Sequence, residues 1–331
     1  MRAKKQRSRH LVRRTQRGQR TQRTQRGGGA AAKTRKGTHS SIVLSKGVIS
    51  PGPYQCNPSV GLHRPSHGCL PIPILEKAAK AAGVASSGVS SQILRRNLEQ
   101  HLGVEAHAEA SFVAALPLEA QEKTELMRTY LRPAAPAQWK SDPDAWLDSN
   151  NIADALNQLE AAYSQFEFMG PFPIDFAAPD PYKGGDAGEK KCLMTEICEL
   201  RVKQAMDSGT TDIGIVYTLD PHFKGGSHWV SNYIDIPGHV CYYFDSYGLP
   251  PPPQVKRFMQ WLTTQDPEMK LHYSSRRLQY SNTECGVYSI YFITAMLLRG
   301  KVSSKAQFLR LSRKRPSDAD MLKLRAWFFS T

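Results

Sequence analysis

The first 75 residues contain no aspartate or glutamate against sixteen Lys and Arg, whereas residues 76–331 hold 28 basic and 29 acidic side chains. The formal charge of +15 therefore belongs to one end of the chain, and the body is electrostatically ordinary. Cysteine is scarce: six in 331 residues, with 24 glycines, too few of either for a disulfide scaffold or a collagen-like chain. Long apolar runs are also missing. The longest, Tyr288 to Leu298, falls short of the ~20 residues that cross a bilayer and is closed by Arg299, so it reads as a buried helix and no membrane contact is expected. The first forty residues place Arg and Gln where a secretory leader needs an apolar core. Secretion is not expected, and the six cysteines are expected as free thiols in a reducing compartment.

Arg14, Arg17, Arg20, Arg23 and Arg26 recur every third residue with no apolar member between them, and Gly27, Gly28 and Gly29 follow. Nothing there offsets the entropy of ordering, so residues 1–40 are expected to be a disordered polybasic arm. Such an arm is either a solvated tail or a contact to nucleic-acid phosphates, which makes those arginines candidates for DNA binding. Residues 41–138 join a Pro/Gly-rich stretch to helical periodicity at Ile74–Leu102 and Ser111–Leu131, the pattern of a mostly helical accessory domain. Pro133 and Pro136 mark its end.

From residue 139 to 331 the pattern is α+β. Helices are expected at Ile152–Phe168, Cys192–Met206, Val255–Thr263, after Cys285 and at Asp318–Phe329. Strands are expected at Ile213–Thr218, Trp229–Ile236, Val240–Phe244 and Lys270–His272.

A cysteine nucleophile needs a base, a group to orient that base, and donors for the developing oxyanion. His228 opens one strand and Asp245 follows its hairpin partner, across a Pro237-Gly238 turn. If that pair forms the loop, Ile236 faces His239 and Asp245 faces Val230, with His228 one pleat away at a diagonal of ~7 Å. A one-residue slip would separate the two side chains. Cys285 sits between a polar loop and the apolar helix, where the positive end of the helix dipole favours a thiolate. Gln279 supplies an amide donor, the Cys285 backbone amide another, and Gly286 is read as leaving the approach open. Each residue has a plainer reading: Cys285 as core, Asp245-Ser246 as a turn, His228 as an isolated histidine. Cys241, Cys192 and Cys198 read as core packing.

The order His228-Trp229, Asp245, Gln279, Cys285-Gly286 resembles the adenovirus-type and SUMO-specific (ubiquitin-like-specific) cysteine proteases. The wording SHWVSNYIDI, YYFDSYGLPPP, TECGVYSIYFI and RPSDADMLKLRAWFF is most similar to the polyprotein-processing proteases of large nucleocytoplasmic DNA viruses, the African swine fever virus type. The resemblance covers about residues 140–331 and implies a papain-like core with a mixed sheet flanked by helices. It also implies His228 as general base, Asp245 as its orienter, Cys285 as nucleophile and Gln279 as oxyanion donor. Trp229 would shield the pair, and Trp146 and Asn150, in the WLDSNNIADAL segment, would lie beside the substrate groove. No cofactor is implied. The substrates implied are viral structural precursors cut after Gly-Gly-X, in the virion and host cytoplasm.

Three rivals stay open. One is a protease that removes SUMO or ubiquitin, whose tails also end in Gly-Gly. Another is a non-catalytic nucleic-acid-binding or scaffold protein. The third concerns Cys56, His63, His67 and Cys69, which are soft enough ligands for zinc, although their spacing matches no standard finger and an irregular Pro-held loop explains them too. Gly27-Gly28-Gly29 before Ala30 reads as a linker or as a self-processing site.

Overall fold

A computed structural model describes residues 42–44, 47–49, 56–61, 65–180 and 192–330. Arg14 to Arg26, Gly27 to Gly29 and His63 lie outside those residues. A short antiparallel pair, β1 (Ile42–Leu44) and β2 (Gly47–Ile49), precedes α1 (Ile72–Ala82), α2 (Ser91–Leu102), α3 (Glu109–Ala115) and α4 (Ala120–Tyr130). The periodicity expected from Ile74 to Leu102 is split in two. Gly83, at φ +70°, closes α1, and the Ser90 hydroxyl accepts the Ile93 N–H to open α2. These helices enclose an apolar cluster of their own that includes Leu75, Leu94, Leu98, Phe112 and Leu126. Arg95 is buried within it, paired with Glu99 and Glu109 at 2.8 and 2.9 Å and lying 3.4 Å from the Phe112 ring centroid.

The cysteines depart from expectation. Cys56 and Cys69 form a disulfide with Cα atoms 5.1 Å apart, and Cys192 and Cys198 form another at 6.4 Å. Only Cys241 and Cys285 are free thiols, both buried. The expectation of six free thiols is thus corrected for four. Close approach of the paired backbones overrides what composition suggested. Two sulfurs engaged with each other do not ligate zinc as thiolates, so the Cys56/Cys69 zinc reading loses its softest ligands.

The remaining elements run α5 (Ser149–Ala162), β3 (Phe166–Pro173), α6 (Thr195–Glu199), α7 (Val202–Asp207), β4 (Asp212–Thr218), β5 (Trp229–Asp235) and β6 (Val240–Phe244). Then come α8 (Pro253–Gln265), β7 (Lys270–Tyr273), α9 (Cys285–Leu297), α10 (Ser304–Lys314) and α11 (Asp318–Phe328). The five strands order as β3-β4-β5-β6-β7, parallel at both outer pairs and antiparallel at both inner ones. Side chains alternate across this mixed sheet. Trp229, Tyr233, Val240, Tyr242 and Phe244 join the core shared with α5, α9, α10 and α11. Val230, Ile234, Cys241 and Tyr243 face the core shared with α6, α7 and α8.

Two expectations fail here for identifiable reasons, and one helix had no counterpart in the sequence pattern. Leu159, Tyr163 and Phe166 continue a helical spacing, yet the chain turns after Ala162 through a Phe166 N–H bond to the Tyr163 carbonyl, and Phe166 opens β3. The helix expected at Cys192–Met206 is two short helices broken at Leu200 and Arg201, with Cys192 outside both. Helix α10 was not anticipated, although Ser303 caps it and Phe308 and Leu311 give it a buried face.

Every residue of α9 is buried, so the helix needs anchoring at its polar end. Glu284 stands at its N-cap, 1% exposed, and both carboxylate oxygens accept from Arg325 of α11. The Arg325 guanidinium also donates to the Pro143 carbonyl and lies 4.3 Å from the Trp139 ring centroid. Removing one member of such a pair strands a buried charge. Arg325→Ala is accordingly expected to lower stability to urea by about 3–5 kcal/mol, a cost that shrinks when Glu284 is also replaced by Gln.

Candidate active site

The hairpin register decides whether His228 and Asp245 can meet. Ser231 pairs with Phe244 and Asp235 with Val240, which extends to Val230 opposite Asp245, and the His239 N–H bonds the Ile236 carbonyl across the turn. His228 Nε2 and Asp245 Oδ1 are 2.9 Å apart, with His228 8% and Asp245 1% exposed. Asp245 Oδ1 also accepts the Tyr247 backbone N–H at 2.8 Å, which fixes the carboxylate from a second direction.

With Nε2 engaged by Asp245, Nδ1 is the ring nitrogen left for Cys285, whose thiol lies near enough to act on the imidazole electrostatically. Cys285 is the first residue of α9. Burial by itself would lower the His228 pKa, but hydrogen bonds and charge from Asp245 and from Cys285 outweigh it and raise the value to about 9. The arrangement favours the protonated, imidazolium form of His228.

Gln279 is fully buried at the other side of the cluster, joined to it through Ser246. Its side-chain Oε1 accepts from the Ser246 hydroxyl at 2.6 Å, and its Nε2 donates to the Ser281 carbonyl at 2.9 Å. Trp229 is buried, and its Nε1 donates to the Leu147 carbonyl at 3.0 Å. Gly286 is not open space. A Cβ there would sit 3.1 Å from Leu147 Cβ and 3.4 Å from Trp229 Cδ1, so the glycine lets α9 approach these two residues rather than clearing a path for substrate.

Residues 210–326 match the model of the Ulp1 protease family, C-terminal catalytic domain. That stretch is similar to the catalytic domain of the Ulp1 cysteine proteases. The chain is 28% identical to a cysteine protease of African swine fever virus over 193 residues, 55% of this chain and 67% of the relative. With a thiol protease homologue of Acanthamoeba polyphaga mimivirus it shares 28% identity over 160 residues, 46% of this chain and about half, 48%, of that protein's length. The crystal structure of the African swine fever virus protease superposes with a TM-score of 0.53 at 19% identity, covering 86% of this chain and 98% of that one. The α+β fold with its mixed sheet and flanking helices is therefore that of the viral protease.

Beside the His228–Asp245 pair lies a cleft of about 440 Å³ lined by Trp146, Asp148, Phe172, His222, Lys224 and Trp229. Trp146 is 40% exposed within it, whereas Asn150 is exposed on the first turn of α5 and does not line it. A larger cavity, about 540 Å³, lies between Phe176, Phe258 and Trp261 and contains none of the candidate residues. Its size reflects the packing of α6 and α8 on the far face of the sheet, not proximity to Cys285.

Sequence reasoning passed over Tyr247. Its ring stacks on His228 at 4.6 Å with planes 17° apart, and the Arg277 guanidinium lies 5.2 Å from the same ring centroid. An aromatic residue two positions after Asp245, at the end of a strand, was the signal available. The stack covers the imidazole and restricts its tilt.

Two measurements probe this geometry. As pH rises through about 9 the imidazolium loses its proton, so kcat/KM is expected to decline there, and Asp245→Asn should shift that decline toward acid because it removes a charge that raises His228. Burial pushes the Cys241 thiol upward, away from reactivity. Iodoacetamide is thus expected to alkylate Cys285 roughly 100-fold faster than Cys241 in the native protein, as read by peptide mass spectrometry.

Proposed function

We propose that the chain is a cysteine endopeptidase that cuts viral structural precursors after Gly-Gly-X, with Cys285 as nucleophile, His228 as base, Asp245 as its orienter and Gln279 as oxyanion donor. The observation that carries this reading is the His228–Asp245 hydrogen bond, with Cys285 near enough to shift the imidazole, within a stretch that matches the Ulp1 protease family model. The thiolate adds to the scissile carbonyl carbon, and the oxyanion takes hydrogen bonds from Gln279 Nε2 and the Cys285 backbone amide. His228 gives its proton to the leaving amine, a thioester forms, and water activated by the same imidazole hydrolyses it.

The cleft between Trp146 and Trp229 would take the residues before the cut, and two glycines, without side chains, suit a passage walled by aromatic rings. Relatives from African swine fever virus bear the name SUMO-1 cysteine protease, which favours a second reading in which this chain processes a ubiquitin-like modifier. The virion and the host cytoplasm are the proposed places of action. Arg14, Arg17, Arg20, Arg23 and Arg26 are proposed to hold the enzyme to packaged DNA through phosphate contacts.

A cleavage assay with Gly-Gly-X peptides beside a modifier precursor decides between substrates. Wild type is expected to cut the peptides, and Cys285→Ala to lose at least ~10³-fold in kcat. Exclusive cutting of the modifier would replace the first reading by the second, and no cutting by either would leave a scaffold. For the arm, deletion of residues 1–40 is expected to abolish DNA binding that weakens with salt, read by fluorescence anisotropy. Binding that survives the deletion would place the contact elsewhere.

A further inference from the structure

An amide side chain donates hydrogen bonds only from its nitrogen, so an oxyanion donor works only if the amide is held with nitrogen forward. Gln279 is fully buried, and its two ends meet different partners. The Ser246 hydroxyl donates to Oε1 at 2.6 Å, and Nε2 donates one of its two hydrogens to the Ser281 carbonyl at 2.9 Å. Nε2 carries a second hydrogen, which on the proposed reading is the one offered to the oxyanion. Ser246, itself 1% exposed, grips the same residue through its backbone as well, since its carbonyl accepts the N–H groups of Leu278 and Gln279 at 2.8 and 2.9 Å.

We propose that Ser246 is a positioning residue that sets the orientation of the Gln279 amide and thereby couples the group that steadies His228 to the group that receives the oxyanion. The proposal rests on the reading of Gln279 as oxyanion donor. Ser246 directly follows Asp245, so one turn at the end of β6 places the carboxylate on the imidazole and the hydroxyl on the amide. Without the hydroxyl, Oε1 is a buried acceptor with no donor, and the amide turns to find one. The backbone bonds from the Ser246 carbonyl survive replacement by alanine. The substitution therefore removes the orienting bond and leaves the anchoring of the loop in place.

The test is a double-mutant cycle on a fluorogenic Gly-Gly-X peptide with wild type, Ser246→Ala, Gln279→Ala and the double variant. Ser246→Ala is expected to lower kcat by about 10- to 100-fold with KM within about twofold. In the Gln279→Ala background the same change should cost less than about twofold, because the amide it orients is gone. Equal losses in both backgrounds, or wild-type kcat in Ser246→Ala, overturn the proposal. Wild-type kcat in Gln279→Ala instead overturns the reading of Gln279 on which it stands. Ser246→Cys, a weaker donor of similar shape, takes its place in the cycle if the alanine variant does not fold and is expected to lose an intermediate amount. A readout independent of turnover is exchange of the Gln279 side-chain amide protons by ¹⁵N NMR. Exchange is expected to be at least about tenfold faster in Ser246→Ala, and unchanged exchange overturns the proposal.

Discussion

The pairing of β5 with β6 is the constraint on which the site depends. His228 and Asp245 lie beyond opposite ends of the two strands in sequence but at the same end in space, and the Ile236–His239 turn sets which residue faces which. The side-chain period of a strand is two, so a slip of one residue would send one of the two side chains through the sheet. Burial on both faces prevents that slip. Trp229 and Tyr233 are committed to the α9 core and Val230 and Ile234 to the opposite one, and an exchange would put large side chains into spaces shaped for others. The geometry of two polar groups is thus enforced by apolar packing along the whole hairpin.

Cys285 reaches that hairpin end by a different route. Its helix is apolar on every side and enters the core as a unit, and only the polar loop before it can adjust where the first turn stops. The missing Cβ of Gly286 lets this turn rest on Trp229 and Leu147, and the Trp229 indole donates to the Leu147 carbonyl, so the start of α5, the start of β5 and the start of α9 lock together. Cys285, His228 and the wall of the adjoining cleft share one tightly packed junction.

Much of this was legible in the chain itself, and the misses are instructive. β6 agrees residue for residue and β5 differs only at its last residue, because their alternation is uninterrupted and the turn between them holds Pro and Gly. β3 was hidden because Phe166 happens to fall on the helical repeat of α5, and only hydrogen bonding to β4 reveals the change of period. The register arithmetic for His228 and Asp245 followed from the turn, whereas the Tyr247 stack and the Ser246–Gln279 bond arise from a loop folding back over the hairpin, which no spacing encodes. The disulfides escaped for a related reason. Composition speaks about compartments, while bond formation depends on which backbones are brought within reach.

The carboxylate of Glu284 raises an electrostatic question that its partner answers. A negative charge one residue before a cysteine opposes thiolate formation and also occupies the positive end of the helix dipole. Burial raises the Glu284 pKa, and the Arg325 guanidinium draws it back by donating to both oxygens. The pair therefore presents little net charge to Cys285. Buried ion pairs seldom stabilise a fold more than apolar residues of the same volume would, so stability is a poor explanation for this one. Its bidentate geometry offers direction instead. Arg325 reaches from α11 to the Pro143 carbonyl and to Glu284 at once, which ties the segment entering α5 to the residue that begins α9. An apolar replacement could fill the volume, but it would not set the angle at which the helix presents its first sulfur to His228.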